Sequence, residues 1–378
     1  MTTGRPIRLA MVGGGPGSFI GPVHRMAAEL DGRIRLVAGA FSRDPAKSAQ
    51  AAQAWGVRDY GDYHALLAGE TARDDGAELV AVVTPNHLHF DVSAAALEAG
   101  LHVMSDKPAT LDLAQARELA GVVAASGCLY GLTHTYTGYP MVREAREIVQ
   151  RGDLGQVRKV VVEYAQGWLS RPLEAGGDKQ AGWRADPKQA GVGGCIGDIG
   201  VHAFNIAEFV TGQRVTRLCA DLAAVVPGRV LDDDCNVLLR FEGGARGVLI
   251  ASQISAGARN GLKLQVYGET GGLTWSHERP TELTIDWLDG PTHTLHAASP
   301  YLSGAARAAS RIPTGHPEGF IEAFANLYRD MAEAIANGRS DAGLVPGIAD
   351  GVRGMAFVET AVAASRDEAG WVALEGNV

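Results

Sequence analysis

The chain has 378 residues, of which 46% are hydrophobic and 20% charged, and its formal net charge is −9. That length is too great for one ordinary core and suits two domains, and the balance of residue types is globular rather than disordered. A negative net charge with no long run of lysine and arginine excludes nucleic acid as the main partner, because phosphate neutralisation needs a concentrated basic patch.

In chain order, Ile7–Val12 reads as a short apolar strand that runs into a glycine-rich turn, Gly13 to Gly21, and then a helix from about Pro22 to Leu30. Ile34–Ala40 is a second strand. Asp44–Trp55 follows as a helix with Asp44 as N-cap and Pro45 at its first position. Leu79–Val83 is an almost purely branched apolar run, the pattern of a strand covered on both faces. Helix His89–Ala99, strand His102–Ser105, helix Leu111–Ser126 and strand Leu129–Thr133 continue the alternation, which predicts a parallel sheet with helices on both faces. The first domain is expected to span residues 1–133.

The remainder, residues 134–378, follows another grammar. After a helix from about Met141 to Gln150, strands succeed one another: Val157–Ala165, Val215–Val226, Asn236–Phe241, Gly247–Ile254, Lys263–Tyr267 and Thr284–Leu288. Hairpin-type punctuation such as Glu242-Gly243-Gly244 lies between them. An α+β domain with a mostly antiparallel open sheet is expected, with helices at Gly197–Val210, Glu318–Asn337 and Pro346–Ser365. Strands such as Lys159–Val162 and Gly247–Ile250 carry apolar residues on both faces, which predicts a homo-oligomer joined through this sheet, a tetramer ahead of a dimer.

No apolar stretch approaches the ~20 residues of a membrane helix, and Met1 to Arg8 lacks a signal-peptide apolar core. Cys128, Cys195, Cys219 and Cys235 are scattered without a C-x-x-C pair, so neither a disulfide framework nor a zinc knuckle is expected. A cytoplasmic protein that touches no membrane follows from these features.

Glycines at a strand-to-helix turn let the backbone approach a pyrophosphate, and the helix N-terminus adds N–H donors. Gly13, Gly15, Ser18, Phe19 and Ile20 stand where that chemistry requires, although the spacing is not G-x-G-x-x-G, since Gly21 lies six residues after Gly15. As an isolated feature this is also an ordinary tight turn; its position after the first strand favours the phosphate loop. After the second strand, where an acid commonly holds the adenosine ribose, stand Ser42 and Arg43. A serine and a guanidinium suit a 2′-phosphate, and Asp44 is occupied as the helix cap. NAD or NADP is the expected cofactor, with NADP slightly favoured.

Three further patterns converge. Thr84-Pro85-Asn86-His87-Leu88-His89 follows one strand, Asp106-Lys107-Pro108 follows the next, and Gly197-Asp198-Ile199-Gly200-Val201-His202 opens a helix in the second domain. In that order they resemble the Gfo/Idh/MocA oxidoreductases, the glucose–fructose oxidoreductase and inositol dehydrogenase group, over essentially the whole chain. The resemblance implies a Rossmann domain followed by an α+β domain, frequently assembled as a tetramer. It also implies oxidation of a secondary hydroxyl on a sugar or cyclitol, or the reverse. Lys107, Asp198 and His202 match the family's Lys–Asp–His catalytic positions. Thr84, Pro85, Asn86, His89, Asp106 and Lys107 join the cofactor-binding set.

The residues make the same sense chemically. Alcohol dehydrogenation needs a base for the hydroxyl proton and a group that stabilises the developing alkoxide. Asp198 and His202 are four apart, hence on one face of a helix, and Lys107 stands at the carboxyl end of a strand. Taken singly, the pair is better read as a capping or surface pair and the lysine as a solvated loop lysine; their joint occurrence in this order favours the catalytic reading. The histidines His87, His89, His134, His202 and His316 lack tight ligand spacing, so no metal is expected. Trp183 and Arg184 offer a ring face and hydroxyl donors for a sugar, with a packed loop tryptophan and surface arginine as the competing reading. Tyr136 and His316 complete the substrate candidates beside Lys107, Asp198 and His202. The expected function is an NAD(P)-dependent dehydrogenase acting on an unphosphorylated sugar, glycoside or inositol-like cyclitol. A keto-sugar reductase or glycoside 3-dehydrogenase is the nearest alternative, and a non-catalytic nucleotide sensor the alternative from another class.

Overall fold

A computed structural model of the protein describes residues 4–376. They form two compact units, one of residues 4–138 with 320–352, the other of 139–319 with 353–376.

Up to residue 138 the chain forms β1 (Ile7–Gly13), α1 (Ile20–Glu29), β2 (Ile34–Ala40), α2 (Pro45–Trp55), β3 (Arg58–Asp59), α3 (Tyr63–Thr71), β4 (Leu79–Val83), α4 (His89–Glu98), β5 (His102–Ser105), α5 (Leu113–Ser126) and β6 (Tyr130–Leu132). Three of the helices start on an aspartate whose side chain accepts a backbone N–H: Asp44 from Ala46, Asp62 from Ala65 and Asp112 from Gln115. The six strands are all parallel, in the order β3-β2-β1-β4-β5-β6. Order reverses beside β1, and ligands of open α/β sheets bind outside the carboxyl ends of the strands at such a point. Both sheet faces are buried, as alternation along β1 shows. Leu9 and Met11 join one apolar cluster, and Ala10 and Val12 join the other, with Leu66, Val92 and Leu119.

The chain continues through α6 (Pro140–Gln150), β7 (Lys159–Ala165), α7 (Lys179–Arg184), α8 (Pro187–Ala190), α9 (Val201–Thr211), β8 (Val215–Ala223), β9 (Asp234–Phe241), β10 (Arg246–Ser252), β11 (Gly261–Tyr267), β12 (Gly271–Ser276), β13 (Glu282–Trp287), β14 (Thr292–His296) and α10 (Gly304–Ala308). After α11 (Phe320–Ala336) and α12 (Ile348–Arg366), the short β15 (Val372–Ala373) closes a nine-stranded sheet, β14-β13-β12-β11-β7-β10-β9-β8-β15. Within it β7 and β10 pair in parallel, and the other neighbours are antiparallel. The inward residues of β9 (Cys235, Val237, Leu239, Phe241) alternate with outward Asn236 and Leu238. Helix α9 lies on the inner face, and its Phe204 stacks on Phe357 of α12 at 4.3 Å between ring centroids.

The division departs from the single cut expected after Thr133. Phe324, Leu327, Tyr328 and Met331 on one face of α11 fill the same apolar cluster as Leu9, Met11 and Val23, so this late helix belongs to the first unit. An amphipathic helix is drawn to whichever sheet face lacks a cover, and its place in the sequence does not record that. Among the described residues, no helix is long and apolar enough to cross a membrane.

Candidate functional site

In the first unit the carboxyl ends of β1, β2, β4 and β5 carry most of the residues singled out from sequence. After β1, the turn runs with almost no clearance. A Cβ on Gly15 would stand 2.4 Å from the Phe41 carbonyl oxygen, and one on Gly21 would stand 1.9 Å from that of Gly14. Only glycine permits backbone approaches this close. Helix α1 then begins at Ile20 with Phe19 as its N-cap and no side-chain cap bond, while Ser18 Oγ accepts from Gly21 N–H at 3.2 Å. A groove of about 270 Å³ adjoins the turn, lined by Gly15, Ser18, Pro22, Gln50, Ala54 and Trp55.

After β2, the acid is committed elsewhere: Asp44 caps α2 at 3.0 Å, and its own N–H donates to Ser42 Oγ at 3.1 Å. Arg43 is exposed, with its Nη2 3.4 Å from His87 Nε2. After β4, Asn86 is buried in a short 3-10 turn over Asn86–Leu88. His89 is 1% exposed, with its ring nitrogens 2.6 and 2.8 Å from the carbonyl oxygens of Pro108 and Thr84. Both nitrogens are engaged inside the protein, so His89 ties the two loops together and is a strut rather than a direct cofactor ligand. After β5, Asp106 Oδ1 accepts from Lys107 N–H at 2.8 Å and from Thr133 Oγ1 at 3.0 Å, fixing the backbone from which the Lys107 side chain departs.

Beneath these loops lie buried histidines that sequence reasoning left without a role. His24 faces the Tyr328 hydroxyl at 2.7 Å, and burial pushes its imidazole down to about 4 against the opposing pull of Asp106. Burial and the Lys107 ammonium lower His134 to about 3. Tyr136 is buried in a 3-10 turn at Thr135–Gly138.

In the second unit the expected helix Gly197–Val210 has a different opening. Ile196–Gly200 is a π-helical turn, and the α-helix proper begins at Val201. The i,i+4 argument for Asp198 and His202 therefore spans a widened turn, a feature frequent at functional sites. The turn is shaped by Asp232, whose oxygens accept from Gly194 N–H at 2.6 Å and Ile196 N–H at 2.7 Å. Burial raises this carboxyl to about 6, against those two N–H bonds.

Asp198 is the centre of a polar cluster. Its Oδ2 accepts from Arg184 Nε at 3.1 Å and from Gln253 Nε2 at 2.8 Å. The Arg184 guanidinium lies over the Trp183 ring at 4.2 Å and within 5.8 Å of Trp168. Trp168 donates to Gln166, which donates to Asn260, and Asn260 also accepts from Tyr164, whose ring lies 6.3 Å from that of His202. Arg184 and Trp183 are thus joined with Asp198, as a clamp rather than as free ligands. His316 is exposed, its Nδ1 3.2 Å from the Pro313 carbonyl oxygen in a local turn.

Gln253, Asp232, Trp168 and Tyr164 escaped the sequence reading. One signal was available: Gln253 is a polar residue directly after a largely apolar strand, and such a residue is buried only with a partner. The structure also corrects the view of the cysteines as scattered. The Sγ atoms of Cys195 and Cys235 and a carboxylate oxygen of Asp232 lie within 4.8 Å of one another. Both thiols are buried, burial raises that of Cys195, and the Asp232 oxygens already hold the turn.

Known proteins resemble both parts of the chain. Residues 7–134 match a family model described as an oxidoreductase family with an NAD-binding Rossmann fold, and residues 142–274 match the GFO/IDH/MocA C-terminal domain. An uncharacterized oxidoreductase of Bacillus subtilis is 32% identical over 97% of both chains. An oxidoreductase from Sinorhizobium meliloti is 43% identical, with a TM-score of 0.89, covering 98% of this chain and 100% of that one. An inositol dehydrogenase homolog from Azotobacter vinelandii, solved with NAD+, is 39% identical with a TM-score of 0.93, covering 98% and 97%. The same homolog, solved with NADH and myo-inositol, is 38% identical with a TM-score of 0.90, covering 98% of both chains. This chain belongs to the Gfo/Idh/MocA family of NAD-binding oxidoreductases.

Proposed function

We propose that the protein oxidises a secondary hydroxyl of an unphosphorylated sugar, glycoside or cyclitol by hydride transfer to a nicotinamide dinucleotide. The observation that carries this reading is the cluster on Asp198: a carboxylate four residues ahead of His202, tethered by Gln253 and by Arg184, whose guanidinium lies against the indoles of Trp183 and Trp168. Indole faces suit the C–H side of a polyhydroxylated ring, and fixed carboxylate and amide groups suit its hydroxyls. Arg184 and Arg229 are already paired, with Asp198 and with Glu174 and Asp233, which suits a substrate without phosphate. The myo-inositol bound by the Azotobacter homolog supports a cyclitol within this class.

The glycine turn fits a dinucleotide, since any Cβ at Gly15 or Gly21 would fill the space the backbone needs at the start of α1. Gly13, Gly15, Ser18, Phe19 and Ile20 would hold the pyrophosphate, Ser42 and Arg43 the adenosine ribose, and Thr84, Pro85, Asn86 and Asp106 the remainder. When bound, the dinucleotide supplies the hydride acceptor. Lys107 donates a hydrogen bond to the reacting oxygen and lowers the cost of its negative charge. His202 accepts the hydroxyl proton on an imidazole nitrogen, and Asp198 orients the hydroxyl as a hydrogen-bond acceptor. With Asp44 spent on its helix and Arg43 exposed, NADP is used at least as efficiently as NAD.

A panel of inositols, free hexoses and glycosides, assayed with NAD and NADP separately, tests the reading. Lys107→Ala and His202→Ala should each lower turnover at least ~100-fold while cofactor affinity stays within a few-fold. Near-normal turnover in either folded variant would overturn the assignment. In the same panel Arg43→Ala should weaken NADP by ~1.5–3 kcal/mol and NAD much less. A strong wild-type preference for NAD, unchanged by that substitution, refutes the NADP reading.

A further inference from the structure

We propose that Gln253 is a positioning residue, which with Arg184 fixes the Asp198 carboxylate as a hydrogen-bond acceptor for the substrate. The inference rests on the dehydrogenase reading above, in which Asp198 orients the reacting hydroxyl.

Two donors converge on one oxygen. Gln253 Nε2 and Arg184 Nε reach Asp198 Oδ2 at 2.8 and 3.1 Å. A carboxylate oxygen only accepts here, so the NH2 end of the amide must face it. Neither donor is free to follow a moving carboxylate. Gln253 is 2% exposed, and its main chain is bonded on both sides: its N–H donates to the Asp233 carbonyl, and its carbonyl accepts from Leu169 N–H. Arg184 Nη1 donates to the Gln180 carbonyl at 3.2 Å and to Gln180 Oε1 at 2.9 Å, with the guanidinium against Trp183. The cavity behind them, lined by Arg184, Gln253, Arg229 and Asp232, measures about 20 Å³. That is room for about one water and none for a sugar.

Burying a carboxamide costs free energy unless it is bonded, and an apolar side chain directly after β10 would avoid that cost. The amide is retained at the one place where it sets the direction of Asp198. A carboxylate free to rotate would offer the substrate hydroxyl many orientations, and misplacement by about 1 Å can cost ~100-fold in rate.

The test uses the full-length protein with NAD and myo-inositol as the probe, or the best substrate of the panel. Gln253→Leu should lower kcat about 10–100-fold, with KM and NAD affinity within about threefold. Gln253→Glu supplies the signature that a structural role would not give. While the introduced carboxyl keeps its proton it donates to Asp198 as the amide does, so activity relative to wild type is restored at low pH. As pH rises, two carboxylates in contact cannot both ionise without repulsion, and that relative activity is lost. A Gln253→Leu enzyme with wild-type kcat, or a Gln253→Glu rate ratio independent of pH, overturns the proposal. A crystal structure of Gln253→Leu separates this from failure of the dehydrogenase reading: should wild type oxidise nothing in the panel, an Asp198 side chain unmoved in the variant still refutes the clamp, and a rotated one supports it.

Discussion

The glycine turn ahead of α1 and the π-helical turn ahead of α9 both lead into a helix, but they are shaped by opposite means. The first works by leaving side chains out: Gly15 and Gly21 admit backbone oxygens to distances that a single methyl would block. The second works by bringing one side chain in. Asp232, 36 and 38 residues further along the chain, takes the N–H groups of Ile196 and Gly194, and its carbonyl accepts from Cys195 N–H at 2.7 Å. A turn made by omission depends on space, and a turn made by a distant carboxylate depends on hydrogen-bond satisfaction. The two should therefore fail differently.

The largest effect is expected at Gly21. In Gly21→Ala the new methyl meets the Gly14 carbonyl oxygen, which is backbone and has no rotamer to escape into. We expect a loss on the order of 4 kcal/mol, seen as a lower urea midpoint at unchanged slope, together with loss of NAD binding. An unshifted midpoint would break the comparison at its first term. Asp232→Ala comes next, at about 2–3 kcal/mol, because two N–H groups lose their acceptor. It should impair turnover while NAD affinity survives, since the glycine turn is untouched; a matching loss of NAD affinity would deny the turns their independence. Asp232 also gives the second turn a pH dependence. Its carboxyl is raised to about 6 in the fold, so the part of its stability that comes from proton uptake is fully present below the unfolded carboxylate range and is lost as pH rises through about 6, while the two N–H bonds remain. The stability difference between wild type and Asp232→Asn should accordingly shrink between about pH 4 and pH 6.

The same contrast explains what sequence could disclose. The strand–helix alternation, the cap on Asp44 and the glycine turn are set by neighbours a few residues apart, and all were legible. The two-residue β3 and the short α7, α8 and α10 lack the length that periodicity needs. The placement of α11 against β1, the approach of Cys195 to Cys235 and the bond from Gln253 to Asp198 join residues dozens to hundreds of positions apart. Nothing local marks such pairs, beyond a polar residue where an apolar one would serve. Likewise Asp198 and His202 were singled out by the resemblance of their motif, while the π-helical turn that carries Asp198 was not legible, because its cause, Asp232, lies on another segment.

The smallest effect tests the comparison most finely, because it lies in the same turn as the largest. Gly17 has φ +82°, and a Cβ there would meet nothing within 4 Å. The residue thus needs glycine for backbone conformation alone, whereas Gly21 needs it for space. Holding an L-residue in the left-handed region costs about 1–2 kcal/mol. Alanine also narrows the unfolded ensemble, which returns about 0.4–1 kcal/mol. The net expectation for Gly17→Ala is a loss of about 1 kcal/mol, with NAD affinity within a few-fold of wild type because no methyl enters the path of the backbone. Urea unfolding of Gly17→Ala and Gly21→Ala side by side, with NAD titration of each, decides the matter. Equal losses would mean that conformation, not crowding, governs the whole turn. A small loss at Gly17 beside a large one at Gly21 identifies crowding as the reason this turn tolerates no side chain where β1, β2 and α1 meet.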